Sequence, residues 1–138
     1  PLLEKVNCSR SSTLVALIVS ECPRLSDVKC SSSPNLSSID FDGCSTLSTL
    51  HTNACTSLTS LDLSQCVALT TLHCFECALT YLDVSHCPLL TTLDCSPMSG
   101  DGLEKVFVTS AQTIARVTEN RNDSYIPKTT ELVVVDTE

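Results

Sequence analysis

Every eleven residues a leucine returns at the head of the same short phrase, and no other feature restricts the fold of this chain so tightly. Residues 58–66 read LTSLDLSQC, 69–77 LTTLHCFEC and 79–87 LTYLDVSHC; upstream, 36–44 read LSSIDFDGC and 47–55 LSTLHTNAC. Weaker copies at both ends complete ten units, headed by Leu3, Leu14, Leu25, Leu36, Leu47, Leu58, Leu69, Leu79, Leu90 and Leu103. The step is eleven, except for ten between Leu69 and Leu79 and thirteen between Leu90 and Leu103. A repeat this short cannot bury an apolar face alone, so its copies must stack into one continuous core. Eleven residues hold a strand and a bend, with no room for a helix. Positions 4 and 6 of each unit point inward and position 5 outward, the alternation of a half-buried strand.

Alternate units differ. Even units carry a large apolar residue at position 6, as in Asp40-Phe41-Asp42, Asp62-Leu63-Ser64 and Asp83-Val84-Ser85. Odd units place Cys8, Cys30, Thr52, Cys74 and Cys95 there. The true period is therefore about 22 residues, two unlike halves per turn.

Each half fits the leucine-rich-repeat pattern L-x-x-L-x-L-x-x-N/C-x-L, and residues 69–79 match it without a gap. Over residues 1–108 the chain resembles the short bacterial leucine-rich repeats of Bacteroidetes surface proteins, in which a unit of about 21 residues nests two such halves. The tail YIPKTTELVVV, Tyr125 to Val135, is similar to the closing segment of those proteins. The expected fold is mainly β: a leucine-rich-repeat solenoid of about five coils over 1–108, with two parallel sheets back to back. Even units build one sheet and odd units the other. Residues 109–138 are expected to be a C-terminal cap of the same domain, with a loop at Asn120–Ser124 and a last strand at Leu132–Val135.

The cysteines decide between chemistry and packing. HCFEC at 73–77 has the look of a metal or redox motif. Yet Cys8, Cys30, Cys74 and Cys95 share position 6 of odd units. Cys22, Cys44, Cys66 and Cys87 share position 9 of even units, and Cys55 and Cys77 position 9 of odd ones. The C-x-x-C arises because one unit has cysteine at both places; its counterparts read C-x-x-S at 30–33, T-x-x-C at 52–55 and C-x-x-M at 95–98. These are expected to be structural columns of free, buried thiols, small hydrophobes that also meet backbone groups at the bends. Zinc on Cys74, Cys77 and Cys87 with His73 or His86 would need tetrahedral convergence, which stacked strands do not supply. Disulfides between rungs are disfavoured, because parallel Cβ vectors hold neighbouring Cβ atoms farther apart than the ~3.8 Å a disulfide prefers. No metal and no cofactor is expected.

A net charge of −8 argues against nucleic acid and anionic membrane surfaces as partners. The longest apolar run, Leu14 to Val19, is strand-sized, so no membrane insertion is expected. No signal peptide precedes the first repeat, and an upstream segment is expected to have been removed. No phosphate loop, nucleophile elbow or H-E-x-x-H is present, so the expectation is a protein that is not an enzyme, with no catalytic residues.

What remains is the outward position 5: Asp40, Asp62 and Asp83 on the even side; Asn7, Lys29, His51, His73 and Asp94 on the odd side. Three stacked carboxylates are expected to raise at least one pKa or attract a cation. The glycine-rich calcium nonapeptide is missing, so keeping a Ser/Thr surface soluble is the simpler role. His51 and His73 are expected to be surface polar residues. Asp40, Asp62, Asp83, His51, His73 and Asp94 thus form the candidate binding surface. The resemblance implies a non-catalytic module recognising an unidentified protein or glycan at a bacterial cell surface, extracellular in location. The alternatives are a spacer with no ligand and a cysteine-based metal or redox protein. The uncapped N-terminal edge is expected to be able to pair two copies into a homodimer.

Overall fold

The computed structural model describes residues 2–96, 103–112 and 130–136. Among them no helix occurs, and the chain winds into a parallel β-solenoid of about five turns with a rise of one turn per ~22 residues. The strands are β1 (Lys5–Asn7), β2 (Ala16–Ile18), β3 (Asp27–Lys29), β4 (Ser38–Asp40), β5 (Thr49–His51), β6 (Thr71–His73), β7 (Tyr81–Asp83), β8 (Thr92–Asp94), β9 (Lys105–Val108) and β10 (Glu131–Val134). β1 to β8 each cover positions 3 to 5 of their unit, and β9 extends to position 6. Strands of the odd units form one sheet in the order β1-β3-β5-β6-β8, every pair parallel and in repeat register: Val28 faces Leu50, Leu50 faces Leu72, and Leu72 faces Leu93.

The even side departs from the expected single sheet. β2 pairs only with β4, while β7, β9 and β10 form a separate sheet, and unit six contributes no strand between them. The cause on one flank is the ten-residue unit. Where strands pair, a position-2 amide reaches the position-2 carbonyl of the coil before, as Ser37 N–H does to Val15 at 2.9 Å. In the shortened bend the amide of Ala78 instead donates to Leu58 at 3.1 Å. The ladder arrives out of step, and the amide of Thr80 does not reach Thr59. The bends record the same change. Position 8 is left-handed in Arg10, Glu21, Ser32, Gly43, Ala54 and Glu76, but not in Gln65 or His86 of units six and eight.

The core is a file of leucines. Leu25, Leu36, Leu47, Leu58, Leu69 and Leu90 at position 1, and Leu50, Leu72, Leu82 and Leu93 at position 4, are almost wholly buried. A fully buried leucine contributes about 2 kcal/mol, so the stack is the main source of stability. In the first coil Leu2 and Leu3 are exposed and Leu14 and Leu17 only partly buried, while Ile18 is exposed at the outward position 5. At the other end β10 adds to β9 with Leu132 opposite Val106, and the hydroxyl of buried Thr130 donates to the Leu103 carbonyl at 2.8 Å. The last strand thus lies at Glu131–Val134, one residue earlier than expected. The loop expected at Asn120–Ser124, the first part of the tail segment and Met98 lie outside the described residues.

Candidate functional site

All ten cysteines are free; eight are buried, and Cys8 and Cys77 are partly exposed. Position-9 thiols meet the carbonyl of position 6 one coil earlier: Cys44 donates to Val19 at 3.0 Å, Cys55 to Cys30 at 3.1 Å, Cys77 to Thr52 at 3.0 Å and Cys87 to Leu63 at 3.7 Å. Ser33 does the same toward Cys8 at 3.4 Å, and Gln112 Nε2 toward Val84 at 2.7 Å. Each supplies a donor to a carbonyl that the bend would otherwise leave unpaired. Cys66, beside the interrupted ladder, makes no such bond. Burial raises Cys66 and Cys87 to about 12 and Cys77 to about 11, so these sulfurs stay protonated thiols. Cys74 is likewise raised, by burial first and then by the charges of Cys95, Cys77 and Asp94. Among the described residues no three of His, Cys, Asp or Glu converge as a metal-ligand set.

The expected surface residues fall in two groups that the fold keeps on different sheets. On the odd sheet, strand register aligns Asn7, Lys29, His51, His73 and Asp94. The rings of His51 and His73 lie 4.6 Å apart, tilted by 34°. Burial, then His73, then Lys29 hold His51 below the ordinary imidazole value, with Asp27 opposing.

On the even side the aspartates close bends. Asp40 Oδ1 accepts the amide of Asp42 at 3.0 Å, Asp62 Oδ1 that of Ser64 at 3.0 Å, and Asp83 Oδ1 that of Ser85 at 2.9 Å. On the odd side Asp94 Oδ1 accepts from Ser96 at 3.3 Å and Asn7 Oδ1 from Ser9 at 3.2 Å. These are Asx turns, the local bonds that short carboxylate side chains make two residues on. At Asp62 the shift runs opposite to the one expected from stacked carboxylates: it is held below the ordinary carboxyl value, first by the Ser64 amide and then by its hydroxyl.

Where unit six makes no ladder, the surface opens into two hollows that share Asp62 and Ser64. One, of about 320 Å³, is lined by Ser60, Leu61, Leu63, Tyr81, Asp83 and His86 besides. The other, of about 290 Å³, reaches Ile39, Asp40, Phe41, Asp42 and Gln65. The position-4 residues Ile39 and Leu61 are only partly buried here, whereas Leu50 and Leu72 on the intact sheet are fully so. Tyr81 stands at the rim, 54% exposed. Each of Asp62 and Asp83 binds its own bend through Oδ1. Ser85 Oγ donates to Asp83 at 2.6 Å and lies 3.3 Å from His86 Nδ1. The imidazole is not placed between serine and carboxylate, which differs from the order a hydrolytic triad needs.

Asp62 and Asp83 thus belong to one hollow and Asp40 to its neighbour, while His51, His73 and Asp94 lie apart. Tyr81 and His86 join the site although neither belongs to the outward position-5 columns. No family model, curated protein or solved structure matches this chain, so the repeat, the solenoid and the hollows are the grounds for a functional reading.

Proposed function

We propose that this protein is a non-catalytic recognition module of the bacterial leucine-rich-repeat type, working outside the cell or at its surface, with a protein or glycan ligand seated on the even side. One observation supports this reading above the others: the opened sheet at unit six, with Tyr81 at its rim and two bend-anchored carboxylates in its wall. An exposed ring offers an apolar face and a phenol, and carboxylates accept strong hydrogen bonds from hydroxyl or amine donors. A concave patch with few, convergent polar groups is where binding is expected.

A glycan array probed with the whole protein, then with Tyr81→Ala, tests the site. Binding that falls at least about tenfold in the variant, at unchanged circular dichroism, is the expected result; a loss of that size corresponds to about 1.4 kcal/mol. Binding untouched by Tyr81→Ala would place the ligand elsewhere. Silence on the array, together with no protein partner captured, would favour the spacer reading.

A further inference from the structure

The repeat carries its own measure of which thiols meet. Position 9 of an odd unit packs over position 6 of the odd unit one coil earlier. In the pair Thr52 and Cys77 this brings Oγ1 to 3.7 Å from Sγ, while Cys77 donates to the Thr52 carbonyl and Thr52 leans toward the His73 carbonyl at 3.4 Å. One coil earlier the same two positions hold Cys30 and Cys55. The contacts repeat: Cys55 donates to the Cys30 carbonyl at 3.1 Å, and Cys30 to that of His51 at 3.5 Å. At the equivalent place before that stands Ser33 over Cys8. Within the described residues, Cys30 and Cys55 are where both members of this contact are cysteine. It runs diagonally, from position 6 to position 9, so the parallel-Cβ objection to same-column disulfides does not apply to it.

We propose that Cys30 and Cys55 are an oxidisable dithiol, which hydrogen peroxide closes to a disulfide stapling the second coil to the third. Both side chains are fully buried, which selects an oxidant of about the size of water. The partly exposed Cys8 and Cys77 are the neighbouring sulfurs, so the pair lies one side chain beneath the surface. Cys55 is the thiol that ionises first. The Cys30 S–H and the Ser33 amide stabilise its thiolate and hold it below the ordinary thiol value, and the same donation, with burial, raises Cys30. The Cys55 sulfur attacks one peroxide oxygen and the O–O bond breaks. The departing hydroxide takes the Cys55 proton and leaves as water, with a sulfenic acid on Cys55. Cys30 then attacks the Cys55 sulfur, the S–O bond breaks, and the hydroxide released takes the Cys30 proton as a second water. Two thiols lose two electrons, and one peroxide becomes two waters. Cys55 stands just ahead of Leu58, where the unit without a strand begins, so the staple would brace the coil that carries the hollows.

The test is oxidation of the reduced whole protein with hydrogen peroxide, alkylation of remaining thiols, digestion and mass spectrometry. The expected result is loss of two of the ten free thiols and a linked peptide joining Cys30 to Cys55 in large excess over any other pair. Cys30→Ser should abolish the link and leave Cys55 as a sulfenic acid that dimedone traps. Thr52→Cys reproduces the contact one coil later and should add a second link, to Cys77. A different dominant pair, links scattered over many cysteines, or ten unlinked thiols would overturn the proposal. A folded Thr52→Cys variant that gains no link would overturn the geometric rule beneath it.

Discussion

Leu72 and Leu61 occupy the same position of the repeat, and the structure predicts very different costs for deleting them. Leu72 lies in the unbroken odd sheet with none of its surface exposed. Replacing it by alanine removes three carbons at about 0.8 kcal/mol each, or roughly 2.4 kcal/mol of transfer free energy. The neighbouring leucines are held by strands on both sides and cannot close the gap, so a cavity cost of about 1–2 kcal/mol adds to this. The expected loss for Leu72→Ala is about 4 kcal/mol. Leu61 faces the open hollow and is only partly buried. Its truncation widens a space that water already reaches, so only part of the transfer cost applies and no closed cavity forms; about 1 kcal/mol is expected. Urea unfolding followed by circular dichroism, with slopes compared alongside midpoints, measures both. Equal losses at the two sites would refute the reasoning, because they would require unit six to be packed like its odd neighbours.

Other outcomes follow from the bends and the titrating groups. Cys44→Ala, which strips the Val19 carbonyl of its thiol donor, should cost about 1–2 kcal/mol in the same assay and Cys44→Ser less, because a hydroxyl can replace the bond. Gly43→Ala should cost about 1 kcal/mol or more, since φ is +75° and the added carbon would meet the Glu21 backbone at 3.3 Å. His51 is held below its ordinary 6.5, so the unfolded chain binds the proton at a higher pH than the folded one. Its contribution is present above 6.5 and lost as pH falls through the folded value; midpoints measured between about pH 7 and pH 5 should drop less in His51→Gln. Asp62, lowered by the Ser64 amide, stabilises above the ordinary 3.8 and loses that contribution as pH falls through its folded value, which carboxyl-carbon NMR titration reads directly.

Much of this architecture was legible in the sequence because solenoid stacking turns spacing into position. The period of eleven places Leu50 over Leu72 and Cys30 over its column before any coordinates exist, and it reduced HCFEC to a coincidence of two columns. What escaped is what spacing alone does not encode. The single missing residue between Cys77 and Leu79 was visible, but its consequence depends on which amide lands on which carbonyl. That step of one residue throws the ladder between unit six and unit eight out of register. Asp40, Asp62 and Asp83 looked like a solvent-facing charge column. Their first obligation is local, to the amide two residues on, and that bond lies within one bend rather than between repeats. The diagonal contact of Cys30 with Cys55 escaped for the opposite reason: it joins two columns, and columns read singly do not show it.

Amide hydrogen exchange resolved by NMR reaches the central claim most directly, since a continuous odd sheet and an opened even side differ in which backbone N–H groups are bonded. The ladder amides of Cys30, Thr52, Thr70 and Cys74, each bonded to the adjoining coil at 2.8 to 2.9 Å, should exchange slowly. Those of Ser60, Leu61 and Asp62 should exchange far faster under the same conditions. Strong protection running through Ser60 to Asp62, equal to that of the odd ladder, would contradict the account.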